Sequence, residues 1–155
     1  MNKKCVLCVD DEPINLMVLE DLLQDEFSVL TASSGEEALG KLRTNGKIDI
    51  ILLDIVMPGM SGFDVCQQIK SDSVLREIPV LIISALTAGE DETHGLEAGA
   101  ADFIHKPFQP PVVKARVRTH LQFAAARRAL RERNARLEAL GAERTYALPP
   151  QPEQV

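Results

Sequence analysis

Ile48-Asp-Ile-Ile-Leu-Leu-Asp54 runs into the turn Met57-Pro-Gly-Met-Ser-Gly62, and the fold is legible from this stretch outward. Residues 50–53 are apolar without alternation, as are residues 80–83. A strand exposed on one face alternates; a strand buried on both faces does not, and strands of that kind build parallel sheets. Each such run also ends on a polar residue. Cys5–Val9 precedes Asp10 and Asp11, Ile48–Leu53 precedes Asp54, Ile78–Ile83 precedes Ser84, and Asp102–His105 precedes Lys106. In a parallel sheet the downstream ends of the strands share one edge. The spacing therefore predicts three carboxylates, a hydroxyl and an ammonium in one crevice.

Helical patterns separate the runs. Apolar residues at 14, 17, 18 and 22 predict a helix over Ile14–Leu23, and Ser33-Ser34 offer N-caps for one over Gly35–Leu42. Further helices are expected over Gly62–Ile69, near Glu90–Glu97, and from about Pro110, with an extra strand at Phe27–Ala32. Five β-α units in series predict a doubly wound parallel sheet with helices on both faces. In the turn, Pro58 fixes its own φ, and Gly59 and Gly62 allow backbone that other residues avoid. The last helix has no early stop, because Val112 to Leu140 contains neither Gly nor Pro. Val113, Val117, Leu121 and Ala124 are expected to cover the sheet. Beyond them Phe123, Leu130 and Leu137 recur every seven residues beside Ala126 and Leu140, an imperfect heptad seam interrupted by Arg133. Three parts are expected: a domain over residues 1–124, a helical extension over 125–141 ending at Gly141, and a disordered Pro-rich tail over 142–155.

Charge divides the chain at the same place. Residues 1–108 hold 8 Lys and Arg against 19 Asp and Glu, a net −11, whereas residues 109–155 hold 9 against 4, a net +5. The basic helix admits three readings: a solvated face, a coiled coil with Asn134 at an interior polar position, or a nucleic-acid contact. The last is disfavoured, since no helix-turn-helix follows and Tyr146 is the one aromatic residue beyond Phe123. No run approaches the ~18 apolar residues that span a bilayer, and the start lacks the long apolar core of a signal peptide. A cytoplasmic protein is expected. Cys5 and Cys8 have the CxxC spacing of redox and zinc sites, but residues three apart on a strand point to opposite faces. Both, with Cys66, are expected to be core thiols.

The crevice set suits a hard divalent cation and a phosphoryl group. Mg²⁺ takes oxygen ligands and keeps several waters, so one or two carboxylates suffice. Asp11 and Asp54 supply them, with Asp10 close by or acting through water. Once the cation relieves the repulsion among the acids, Asp54 stays ionised and nucleophilic. Lys106 offers a mobile charge for phosphate oxygens and Ser84 a hydroxyl. Asp10-Asp11-Glu12 also reads as an ordinary helix-capping loop.

These segments resemble the receiver domain of bacterial two-component response regulators: VLCVDDEP with Asp10-Asp11, LLDIVMPGMSG with Asp54, VLIISA with Ser84-Ala85, and GAADFIHKPF with Phe103, Lys106 and Pro107. The resemblance covers residues 4 to about 124. It implies a flavodoxin-like five-stranded sheet in order 2-1-3-4-5. It further implies that Asp54 takes a phosphoryl group from a histidine kinase's phosphohistidine or a phosphotransfer protein. Asp11, Asp54 and the carbonyl of Val56 would hold Mg²⁺, with Asp10 largely through water. Lys106 would pair with the phosphate, Lys106–Pro107 would be cis, and Ser84 and Phe103 would be the switch pair that reshapes the face of the fourth helix, fifth strand and fifth helix. Phe103 stands where many relatives have Tyr. Val56 and Leu86, each two residues past a key position, carry no group to orient water, so slow self-hydrolysis is expected, faster in Leu86→Glu. His105 is expected to face away from the site, His94 and His120 to lie on the surface, and Met57 and Met60 to be turn and packing residues.

Three functions compete. The first is a phosphorylation-controlled module that acts by protein–protein contact and does no enzymatic work beyond its own phosphorylation and slow dephosphorylation, with a homodimer through the long helix as one option and an output partner yet to be found. The second is the receiver part of a longer regulator, because VVKARVRTHLQFAAARRALRERNARLEAL resembles the connector to cyclic-di-GMP enzymes. The third is a Mg²⁺-dependent aspartyl-phosphate phosphatase. Those enzymes carry a second acid two residues past the nucleophile, where this chain has Val56.

Overall fold

The computed structural model describes residues 3–85 and 89–147, with backbone alone for Glu90 and residues 142–147. Five strands, β1 (Cys5–Val9), β2 (Ser28–Ala32), β3 (Ile48–Leu53), β4 (Val80–Ser84) and β5 (Asp102–His105), form one parallel sheet in the order β2-β1-β3-β4-β5. Helices α1 (Pro13–Leu23), α2 (Gly35–Thr44), α3 (Gly62–Ser71), α4 (Gly89–Glu97) and α5 (Pro110–Ala147) alternate with them. The expected flavodoxin-like fold and strand order are both found.

Two-residue periodicity sorts the core into two layers. Leu7, Val9, Ile51, Leu53, Ile82 and Phe103 pack on one face of the sheet with Leu39, Val65, Ile69 and Ala98 from α2, α3 and the end of α4. Val6, Cys8, Ile50, Leu52, Leu81, Ile83 and Ile104 pack on the other with Leu19 and Leu23 of α1 and Val113 and Val117 of α5. Cys5 and Cys8 fall in different layers, so the CxxC spacing makes no site; all three thiols are free and buried. Burial pushes the Cys8 thiol up to about 12, with smaller contributions from Glu20 and Cys5. Such a thiol is inert at neutral pH.

Helix starts follow local chemistry. Ser34 caps α2 by accepting the Glu37 N–H, and Glu37 returns a carboxylate to the Ser33 N–H at 2.9 Å. Ser61 and Asp64 form a reciprocal capping box at α3. α1 differs: Glu12 stands at its cap without a side-chain bond, and Pro13 opens the helix.

The chain divides into two compact units, one ending at Leu121 and one beginning at Gln122. Within the first, α5 is tied down by ion pairs as well as by Val113 and Val117. Lys114 meets Asp25 at 2.9 Å, Arg118 meets Glu26, and Arg116 and His120 meet Asp102 at 2.7 and 3.0 Å. His120 thus departs from the expected surface position. Its side chain is half-buried because Asp102, itself partly covered, draws it inward. His94 is exposed as expected, yet its ring stacks on Phe63 of α3 with centroids 4.1 Å apart. In the second unit the side chains from Ala125 to Gly141 are all exposed. The helix does not stop at Gly141 but reaches Ala147. A glycine costs a helix interior only about 1 kcal/mol, and no proline follows until Pro149. The rest of the expected disordered tail, residues 148–155, lies outside the described residues.

Candidate functional site

The sheet ladder continues one residue past β1, β3 and β5, and this brings the polar residues level. The Asp10 N–H donates to the Ala32 carbonyl at 3.1 Å, the Asp54 N–H to the Val9 carbonyl at 3.0 Å, and the Lys106 N–H to the Ser84 carbonyl at 2.8 Å. Asp10, Asp54 and Lys106 are therefore held as strand residues. Their side chains inherit the rigidity of the sheet.

Asp10, Asp11 and Asp54 each present a carboxylate oxygen, and the three lie within 4.8 Å of one another. Asp10 is 1% exposed and Asp54 8%. The Lys106 ammonium sits 3.0 Å from Asp10 Oδ2 and 3.7 Å from Asp54 Oδ1. One cation thus faces three acids, an excess of negative charge in a largely dry pocket. Burial, foremost, pushes the Asp54 carboxyl up to about 6, with Asp10 and Asp11 adding to the shift. Lys106 and the Ile55 N–H, which donates to Asp54 Oδ1 at 2.9 Å, work against it. The donor set is all hard oxygen and short of positive charge, which fits a divalent cation such as Mg²⁺.

Ser84 ends β4, between the strands that carry Asp54 and Lys106, and is fully buried. Phe103 is buried in the layer beneath α4: a Cβ built on Gly95 would lie 3.3 Å from its ring and 2.9 Å from Ile82. Lys106–Pro107 is cis. Val56 points its side chain to solvent, 62% exposed. His105 is exposed, 3.6 Å from Glu92. Met57 is buried and Met60 packs against the core, as expected of turn residues. Leu86 lies outside the described residues.

Several contributors escaped the sequence reading. Gly62 lets α3 approach the Asp54 backbone: a Cβ there would lie 2.3 Å from the Asp54 carbonyl oxygen, while the Gly62 N–H donates to the Ile55 carbonyl at 2.9 Å. Its place in a Gly-rich turn hinted at conformational freedom, not at contact. Asn15, on the first turn of α1, donates to Asp10 Oδ2 at 3.1 Å. Its spacing from Asp10 was visible, but nothing distinguished it from other helix-start residues. Ile14 and Met17 on α1 are 72% and 70% exposed, with Val18 also exposed, an apolar patch that the helical spacing did not distinguish from a core face.

Residues 6–118 match the response regulator receiver domain family. The chain belongs to that family. Response regulator PleD of Caulobacter vibrioides is 42% identical over 137 residues, which are 88% of this chain and 30% of that protein. A probable cyclic di-GMP phosphodiesterase of Vibrio cholerae is 40% identical over 133 residues, 86% of this chain and 30% of that protein. The chain thus spans about a third of the length of these relatives. Among solved structures, a putative response regulator from Chloroflexus aurantiacus is 31% identical with a TM-score of 0.75, covering 78% of this chain and 99% of that one. Chemotaxis protein CheY4 of Vibrio cholerae is 30% identical with a TM-score of 0.71, covering 76% and 98%. The receiver domain is thus a module of two-component signalling whose control is phosphorylation-dependent. No helix among its described residues is long and apolar enough to cross a membrane.

Proposed function

We propose that this receiver domain, acting in the cytoplasm, takes a phosphoryl group onto Asp54 from a histidine kinase or phosphotransfer protein. The observation that carries the reading is the company Asp54 keeps: a buried carboxylate beside two others, with one lysine poised between Asp10 and Asp54. An oxygen of Asp54 attacks the phosphorus of the donor's phosphohistidine. The new P–O bond forms as the P–N bond breaks, and the imidazole leaves with its electron pair. Asp11, Asp54 and the carbonyl of Val56 would hold Mg²⁺, with Asp10 through water, and the bound ion supplies charge neutralisation for the phosphoryl oxygens. Lys106 then moves from Asp10 toward the phosphate. Ser84 and Phe103 relay the change to α4, β5 and α5, shifting an equilibrium between two arrangements.

The apolar patch at Ile14, Met17 and Val18 lies on the helix that begins just past Asp11, and exposed Val56 follows Asp54 by two residues. An apolar surface beside an acceptor suits a helical donor protein that must deliver its phosphohistidine into the crevice. The test is transfer from a phosphorylated phosphotransfer protein. Label should move to the full chain with Mg²⁺ and remain on the donor when the metal is chelated; transfer that ignores chelation would contradict the metal assignment.

A second reading is favoured by the reach of the similarity. The matches of 137 and 133 residues are longer than the receiver span of 6–118, so they take in part of the α5 extension as well. We read α5 as a connector that carries the phosphorylation signal onward, in a longer regulator of a cyclic-di-GMP enzyme or through a homodimer seam at Phe123, Leu130 and Leu137. A free-standing phosphatase is disfavoured, since Val56 offers an exposed alkyl group where a general acid is needed.

A further inference from the structure

We propose that Asn15 is a positioning residue of the phosphoryl site: it stabilises Asp10 once Lys106 leaves, and so makes the lysine available to the phosphate. The inference rests on the reading of Asp54 as phosphoacceptor. Asp10 is almost completely enclosed and holds three donors. Its Oδ1 accepts the Glu12 N–H at 3.0 Å; its Oδ2 accepts both the Asn15 amide at 3.1 Å and the Lys106 ammonium at 3.0 Å. In this arrangement Lys106 rests on Asp10, because Asp54 is 0.7 Å farther from it at 3.7 Å. Phosphorylation requires that contact to break. A buried carboxylate oxygen that loses its only donor is heavily penalised. With Asn15 in place, Oδ2 keeps a neutral donor after the lysine has gone. Without it, the departing lysine would leave Oδ2 with no direct donor from the protein, and the ammonium would be retained at Asp10.

The amide is suited to the task by its chemistry. It carries no net charge, so it does not add to the cations near Asp54, and unlike lysine it cannot follow the phosphate. Asn15 also donates to Glu12 Oε2 at 3.3 Å, which holds the amide on the side of the crevice where α1 begins.

The test compares the full-length chain with Asn15→Leu, which removes the donor, and Asn15→Gln, which restores one on a longer arm. Acetyl phosphate with Mg²⁺ supplies the phosphorylation rate, calorimetry the Mg²⁺ affinity, thermal melting the fold, and the ¹⁵N resonance of the Lys106 ammonium its contact with Asp10 in the absence of any donor. In Asn15→Leu the maximal phosphorylation rate should fall about tenfold while Mg²⁺ affinity changes by less than about threefold. The Lys106 ammonium hydrogens should exchange more slowly, and Asn15→Gln should recover most of the rate. An unchanged rate and an unchanged ammonium signal would overturn the proposal, as would a rate that falls in step with Mg²⁺ affinity and melting temperature. If the unsubstituted chain takes no phosphoryl group but the ammonium signal responds as stated, the acceptor reading fails and the positioning of Lys106 by Asn15 stands.

Discussion

A methyl group at position 62 would land 2.3 Å from the Asp54 carbonyl oxygen, so the backbone of the acceptor and the start of α3 touch with no room between them. Gly62→Ala should therefore destabilise the domain by about 1–3 kcal/mol and slow phosphorylation more than stability alone explains, because Asp54 itself must shift. Denaturant melts alongside acetyl phosphate kinetics separate the two effects. The protonation of Asp54 gives a second handle. Its folded carboxyl holds a proton up to about 6, whereas in the unfolded chain it releases one near 3.8. Between those values the folded state binds more protons at this residue, so the contribution of Asp54 to metal-free stability is greatest below that window and falls as pH rises through it. The loss at Asp54, reduced by solvent screening of a partly exposed group, should be on the order of 2 kcal/mol, and it should be absent from Asp54→Asn. A wild-type stability that does not fall relative to Asp54→Asn over the same window would contradict the burial argument. At Asp10, Asp11, Asp54 and Lys106 the sequence was explicit, because each ends an apolar run. Asn15 was hidden, because its role depends on a three-dimensional approach to Asp10 that spacing along α1 does not specify.

At the scale of elements, unbroken apolar runs announced β3 and β4, and their alternate layering follows from the strand period. α1 was read correctly as a helix, but its spacing left the buried face unassigned. Ile14, Met17 and Val18 satisfy the helical spacing, yet Leu19 and Leu23 face the sheet. Two apolar stripes on one helix cannot be ranked without knowing where the sheet lies. The end of α5 was misread for a different reason: a glycine weakens a helix but does not end one unless the next residues also refuse it. Within the first unit, α5 is anchored by Val113 and Val117, both fully buried, and by Asp102 gripping Arg116 and His120. Val117→Ala should cost about 2 kcal/mol through the cavity it leaves. Asp102→Ala should cost roughly 1–2 kcal/mol, since it leaves a half-buried histidine without its carboxylate. Chemical denaturation of the two variants and their combination should show near-additive losses, because the residues lie in separate contacts.

For the whole molecule, the proposed connector reading assigns phosphorylation to the acidic receiver and output to the basic helix. The α5 seam carries Leu130 and Leu137 exposed, and a second copy would bury them. If the connector reading is right, light scattering with a phosphoryl mimic should report a dimer that Leu130→Glu with Leu137→Glu abolishes; a monomer under every condition would remove the homodimer. All of this depends on one covalent event. Its most direct measurement is the intact mass of the full chain after incubation with acetyl phosphate and Mg²⁺, repeated with chelator and with Asp54→Asn. A single phosphoryl adduct on the wild type, absent from both controls, is the predicted result; an adduct that persists in Asp54→Asn, or none on the wild type, would contradict it.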